Sequence, residues 1–189
     1  AVLQKWQARF PDGFFLFIGT FRYYKGLHIL IEAAKNSHYP IVVVGAGPIE
    51  AELKSQAQQL GVNNIHFLGA LEDSEKSALL QLCTCLVFPS HLRSEAFGIS
   101  LLEGALYSKP LISSEIGTGT TFINIDRVTG LVVPPSDPAA LRRAMDEIWQ
   151  NPELATTYGA AALARFESLF TADRMIQSYT KLYKSLLSV

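Results

Sequence analysis

The sequence predicts an α/β fold: a doubly wound sheet of six parallel strands with helices on both faces. Two observations carry this. Short apolar runs without polar alternation recur along the chain, as strands buried on both faces require. Each is followed by a polar or glycine-containing loop and then by a segment of helical periodicity, so strands and helices alternate six times.

Residues 1–13 read as a linker or approach segment that ends in the turn-like Pro11-Asp12-Gly13. Phe14 to Ile18 is the first buried strand, and the polar loop Gly19 to Gly26 follows it. A helix over about Gly26 to Lys35 then presents Leu27, Leu30, Ile31 and Ala34 on one face. Ile41 to Val44 is the second strand. It enters the turn Gly45-Ala46-Gly47-Pro48 and a helix to about Leu60, with Pro48 suited to its first turn. Glu50 stands where a dinucleotide fingerprint would need its third glycine, so Gly45-x-Gly47 reads as a tight strand-to-helix turn. Asn64 to Leu68 is the third strand, in which His66 reads as a structural hydrogen-bonder. The loop Gly69-Ala70-Leu71 follows, and then a helix capped by Asp73 or Ser74 that runs to about Cys83.

Cys85 to Phe88 is the fourth strand. Lys109 to Ser113 is the fifth, followed by a flexible polar loop over Ser114 to Thr121. Gly130 to Val133 is the sixth. Ser136 or Asp137 caps a helix with Pro138 near its start and Leu141, Ala144, Met145 and Ile148 on its inner face. Two further helices are expected at about Pro152 to Phe166 and Ala172 to Leu187. In a parallel sheet of this kind, ligands sit outside the carboxyl ends of the strands. The loops beginning at Gly19, Gly45, Gly69, Pro89 and Ser113 should therefore converge on one cleft.

Bulk composition narrows the function classes. The chain has 189 residues, 49% of them hydrophobic and 17% charged, which suits one packed domain rather than a disordered chain. A formal net charge of −1 gives no electrostatic case for a nucleic-acid partner. No apolar run approaches the roughly 18 residues that span a bilayer. Cys83 and Cys85 are too few for a zinc site and poorly spaced for a disulfide, so they read as free thiols suited to a reducing cytoplasm. The chain starts at Ala1 without a signal-like segment and reads as a piece of a longer product.

The stretch from Pro89 to Ala105 concentrates the chemistry. A strand end, a polar loop and a helix follow in turn, with Gly98, Leu101, Leu102 and Ala105 at the spacing of one buried face. With a helix start near Phe97, the unpaired N–H groups of the first turn form a site for a phosphate. Glu95 precedes that end, and Glu103 lies about 9 Å beyond it at ~1.5 Å per residue. Carboxylates accept hydrogen bonds from sugar hydroxyls. Glu95 is therefore read as facing a transferred sugar and Glu103 a ribose. The alternative is that Glu103 caps a neighbouring loop while Glu95 is a solvated acid favoured by the helix dipole.

The string Ser-Glu-Ala-Phe-Gly-Ile-Ser-Leu-Leu-Glu-Gly-Ala, from Ser94 to Ala105 after Phe88-Pro89-Ser90, resembles the E-x7-E signature of retaining glycosyltransferases of family four. The resemblance runs from Phe14 to the last helix. It implies one half of a GT-B fold: a Rossmann-like domain over residues 14–189 that binds the nucleotide-sugar donor, with closing helices after Pro152. In that family the first loop reads Gly-Arg, then Lys-Gly, and both cations bind the diphosphate. Lys25-Gly26 matches the second part, whereas Thr20 stands where the Arg would be and Arg22 comes two residues later.

The resemblance thus implies roles for Glu95, Lys25 and Arg22 in transfer. It implies donor binding by Glu103, Ser90, the Phe97-Gly98-Ile99 helix start, and Ala70 and Leu71 of a base-binding loop. The Gly117 to Thr120 loop resembles that of bacterial mannosyl- and rhamnosyltransferases of surface polysaccharide assembly, so GDP-mannose is the expected donor. No cofactor or metal is expected, and the sequence has no Asp-x-Asp motif. Fixed cations and helix N–H groups would stabilise the departing diphosphate instead. The acceptor, a glycan or a lipid-linked sugar, would bind an N-terminal domain absent from this chain. A cytoplasmic enzyme, at the inner face of the plasma membrane, is expected. Losing that partner domain should leave an apolar patch at Tyr179, Leu182, Tyr183 and Leu186. The competing readings are a UDP-sugar-dependent transferase, a UDP-sugar 2-epimerase and a non-enzymatic nucleotide-binding module.

Overall fold

The computed structural model of the chain describes residues 1–187. Six short strands form one parallel sheet: β1 (Phe15–Ile18), β2 (Ile41–Val44), β3 (Ile65–Gly69), β4 (Cys85–Phe88), β5 (Leu111–Ser114) and β6 (Gly130–Val133). Their spatial order is β3-β2-β1-β4-β5-β6, as in a Rossmann-like domain. Every neighbouring pair is parallel, with Phe15 opposite both Ile41 and Cys85 and Leu86 opposite Leu111. Each strand of β1, β2 and β4 is almost wholly buried, which explains why their sequences show no polar alternation. Full burial of one Val or Leu contributes about 1.5–3 kcal/mol, and these residues line both layers.

The helices are α1 (Val2–Arg9), α2 (Leu27–Ala34), α3 (Glu50–Gln59), α4 (Asp73–Leu82), α5 (Ile99–Leu106), α6 (Thr120–Ile123), α7 (Pro138–Gln150), α8 (Pro152–Leu169) and α9 (Ala172–Leu187). One core lies under α2, α3 and α7, around Phe15, Phe17, Leu30, Val43, Leu141 and Met145. The other lies under α1, α4 and α5, around Phe14, Leu16, Leu79, Leu86 and Leu101. Helix α8 contributes Tyr158 to the first and Ala162 to the second. The predicted inner faces of α2 and α7 are buried throughout. Asp137 caps α7, its side chain accepting from the Ala140 N–H at 2.8 Å.

Several boundaries differ from the sequence reading. Residues 1–13 are not a linker: α1 packs on α4, with Trp6 and Phe10 almost fully buried. Trp6 lies on the helix and Phe10 just past its end, with their rings stacked 6.4 Å apart. The Trp6 indole N–H donates to Glu75 at 2.7 Å. Pro48 lies ahead of α3 rather than inside its first turn, because the Gly45–Pro48 turn is spent on another contact. There the chain pairs with the loop after β1, through Gly19 N to Val44 O at 3.0 Å and Phe21 N to Ala46 O at 2.9 Å. A Cβ at Gly45 or Gly47 would collide with that backbone. Glu72, not Asp73 or Ser74, holds the N-cap position of α4, without a side-chain cap.

The loop after β5 is not free. It ends in the short α6, with Thr120 and Ile123 buried, and Gly119 N donates to Ala96 O at 2.9 Å. The α5 helix begins at Ile99, not near Phe97, because Gly98 takes a left-handed conformation (φ 96°). On α9 the apolar stripe is exposed: Tyr179 is 54% and Leu186 63% accessible, with Leu182 and Tyr183 between them. Both cysteines are buried free thiols, and burial pushes Cys83 up to about 12 and Cys85 well above the ordinary thiol range.

Candidate functional site

The strand order reverses between β1 and β4, so the connections leaving these strands go to opposite faces and a crevice opens at their carboxyl ends. The loops after β1 and β4 line it and are joined closely. The Tyr23–Lys25 segment forms one 3-10 turn, ended by Gly26 in the left-handed region (φ 72°). The Gly26 backbone lies so close to the Pro89 carbonyl that a Cβ would collide with it. His91 N donates to Tyr24 O at 2.9 Å. This contact delivers Lys25 to the Glu95 loop.

There Lys25 Nζ and Glu95 Oε2 form an ion pair, with the two side chains 14% and 11% exposed. Ser90 Oγ donates to the same carboxylate oxygen at 3.2 Å. The rings of Phe88 and Tyr24 lie 5.0 and 5.3 Å from the ammonium. The sequence assigned Lys25 to a diphosphate and Glu95 to a sugar. The structure brings the two together as partners, each offsetting the other's charge.

Past Glu95 the chain reaches the start of α5. Phe97 and Ile99 are exposed, at 38% and 72%, flanking the buried Gly98. Ser100 Oγ donates to Ile18 O at 2.9 Å, pinning the helix start to the end of β1. From Ile99, Glu103 is four residues on, about 6 Å along the axis at ~1.5 Å per residue, shorter than the spacing expected. Glu103 lies within electrostatic reach of Asp73 and Lys76 at the start of α4. Its carboxyl is held above the usual range by burial first; Lys76 draws it down and Asp73 pushes it up. Among the described residues, no direct hydrogen bond or ion pair reaches the Glu103 carboxylate, so it does not cap a neighbouring loop. Ala70, exposed, and Leu71, half-buried, lie just ahead of α4 on this same side.

Arg22 is exposed at the entry to the 3-10 turn and joins none of the ion pairs among the described residues. His66 packs by its ring rather than through the hydrogen bond expected of it: among the described residues no side-chain hydrogen bond reaches it, its ring meets Phe10 edge-on at 5.2 Å, and burial, then Arg9, lower its pKa.

Two residues of this region carried no role in the sequence reading. Arg93 is exposed on the Glu95 loop and lies over Gly117, where a Cβ would meet its Nη1 at 2.7 Å. His91 is 8% exposed and bonds to residues of two other loops. The signal available for Arg93 was its position two residues before Glu95. For His91 there was none, because its partners are distant in sequence. A cavity of about 340 Å³ opens at the opposite edge of the sheet, lined by Asp12, Thr84, Lys109 and Trp149 among others; none of the site residues named above lines it.

Comparison with known proteins fits this geometry. The family model described as Glycosyl transferases group 1 matches residues 3–165. An O-antigen chain mannosyltransferase C of Escherichia coli is 58% identical over 96% of this chain and 49% of its own length. The D-rhamnosyltransferase WbpZ of Pseudomonas aeruginosa is 61% identical over 90% of this chain and 45% of its own. This chain therefore spans about half the length of the curated relatives it matches. Among solved structures, a sucrose-phosphate synthase from Thermosynechococcus elongatus superposes with a TM-score of 0.84 at 28% identity, covering all of this chain and 49% of that one. With the match over most of its length and the shared sheet, the chain belongs to the glycosyl transferases group 1 family.

Proposed function

We propose that this chain is the donor-binding half of a retaining, metal-independent glycosyltransferase. The whole enzyme would move a hexose, with mannose from GDP-mannose as the leading candidate, to a glycan or lipid-linked acceptor in surface polysaccharide synthesis. The observation that carries the reading is the buried Lys25–Glu95–Ser90 cluster beside the start of α5, with Glu103 one turn into the same helix. The name of one bacterial relative, an O-antigen chain mannosyltransferase, supports the choice of sugar and process, while the other is named a D-rhamnosyltransferase.

The chemistry follows from charge. Heterolysis of the bond between the anomeric carbon and the phosphate oxygen leaves negative charge on the diphosphate. Lys25 and the first-turn N–H groups of α5 would stabilise that charge as it develops, which acts on the transition state. A donor diphosphate would compete with Glu95 for Lys25. Once released, the Glu95 carboxylate can accept hydrogen bonds from the sugar hydroxyls. Glu103, half-buried and short of hydrogen-bond donors, would take the two hydroxyls of a ribose, which favours its charged form. No metal enters this scheme: the countercharge comes from the protein.

No helix among the described residues is long and apolar enough to cross a membrane. We place the whole enzyme in the cytoplasm at the inner face of the plasma membrane, and assign the exposed stripe of α9 to contact with its other half. Titration of the chain with GDP, UDP and ADP in metal-free buffer, repeated on Glu103→Ala, tests the donor site. Preference for GDP, weakened by the substitution, is the expected result. A preference for UDP would keep the transferase and discard mannose from GDP-mannose. Nucleotide affinity unchanged in Glu103→Ala would remove the ribose from Glu103.

A further inference from the structure

We infer that His91 is a positioning residue of the donor site: it clamps the Tyr23–Lys25 turn to the Glu95 loop and thereby sets the Lys25 ammonium where a diphosphate would meet it. The inference rests on the donor-site reading above.

The clamp is built from both the backbone and the ring of His91. Its N–H donates to Tyr24 O at 2.9 Å. Its Nε2 lies 3.1 Å from Tyr23 O, and Nδ1 lies 2.9 Å from Ser136 Oγ. A carbonyl oxygen can only accept, so Nε2 carries the hydrogen. With the hydrogen on Nε2 alone, Nδ1 is the acceptor and the Ser136 hydroxyl donates to it. One imidazole thus joins the loops after β1, β4 and β6. Two consecutive carbonyls of the turn are held by one residue, and Lys25 is the next residue in the chain.

The aromatic surroundings reinforce the geometry. The Tyr23 ring meets the His91 ring edge-on at 4.9 Å and stacks on His28 at 4.8 Å with an interplanar angle of 6°. His28 in turn meets His91 edge-on at 4.9 Å. The turn needs such support. Tyr23 is 62% exposed, and the 3-10 turn is only three residues long. Without the ring of His91 the Tyr23 carbonyl keeps only the Gly26 N–H of its own turn, at 3.1 Å, and the turn is tied to the Glu95 loop by the Tyr24 carbonyl alone, which loosens the placing of Lys25. A histidine that merely filled space would affect folding but would not act through Lys25, and this difference is measurable.

The test uses NMR titration with the diphosphate that the native chain binds best and with the matching nucleoside. His91→Ala is expected to weaken the diphosphate about tenfold, the loss of one oriented hydrogen bond, and to leave the nucleoside unchanged. His91→Gln, which keeps a donor at similar reach, should restore most of the affinity. In a Lys25→Ala background, His91→Ala should cost nothing further. Ser136→Ala lies on an exposed loop, leaves the core untouched, and should give the same selective loss at about threefold if His91→Ala folds poorly. Equal weakening of diphosphate and nucleoside, additive with Lys25→Ala, would make His91 structural and overturn the inference. A long-range nitrogen correlation spectrum, which needs no ligand, should show hydrogen on Nε2; hydrogen on Nδ1 would overturn the clamp alone. Failure of the native chain to bind any nucleotide would overturn the donor-site reading and this inference with it.

Discussion

Replacing Lys25 by Met tests how the centre of the site is held. The substitution keeps length and apolar volume but removes the charge. Glu95 is then left with a side chain 11% exposed and the Ser90 hydroxyl as its remaining side-chain partner. Removing one member of a buried pair typically costs about 3–5 kcal/mol, mostly because the surviving charge is desolvated and unpaired. For a chain of this size that is a fall in melting temperature of roughly 6–20 °C. The double variant Lys25→Met with Glu95→Gln removes the stranded charge, so most of the loss should return, leaving it within about 1 kcal/mol of the native chain. Urea unfolding followed by circular dichroism measures both, with the slope of the transition checking that the same surface unfolds. A single-variant loss below about 1 kcal/mol, or a double variant no better than the single, would refute the buried-pair account. Lys25 would then be a surface charge that crosses the loop without holding it.

Three further outcomes are expected. Glu103→Gln should raise the unfolding midpoint at pH 7, because burial lifts the Glu103 pKa above its ordinary 4.5 and charging the buried acid disfavours the native state. The contribution of neutral Glu103 is fully present below pH 4.5 and is lost as pH rises through the folded value, so the advantage of Gln should vanish in melts at pH 4 and below. A constant difference at all pH values would contradict this. Asn124→Ala should cost about 3 kcal/mol in urea unfolding: the side chain is fully buried, donates to Ser113 Oγ at 2.9 Å and Leu131 O at 3.0 Å, and accepts from Thr129 Oγ1 at 2.9 Å. A loss under about 1 kcal/mol would mean that water replaces the amide. Gly26→Ala should cost at least about 2 kcal/mol and weaken diphosphate binding, since the new methyl meets both a left-handed backbone and the Pro89 carbonyl. Native stability with unchanged binding would show that the two loops can part without consequence.

What the sequence determined by itself was what depends on neighbours along the chain. The uninterrupted apolar runs at Phe14 to Ile18 and Ile41 to Val44 marked strands buried on both faces, and the alternation with helices implied the parallel sheet that is present. Ser136 and Asp137 before Pro138 announced the cap of α7, because a cap is a contact over three residues, and the folded chain gives it to Asp137. Resemblance through the Glu95-to-Glu103 string named the family. What tertiary structure decided were contacts between residues far apart. Trp6 and Phe10 turned an apparent linker into α1, because their burial depends on Glu75 and the surface of α4. The start of α5 moved to Ile99 because Gly98, packed against Phe88, left the helical region. The pairing of Lys25 with Glu95, 70 residues on, and the meeting of Tyr23 and Ser136 at His91, 68 and 45 residues away from it, leave no periodic trace. Periodicity reports which face of an element is buried. Which two loops meet at the end of the sheet is set by strand order, and that order exists only once the chain has folded.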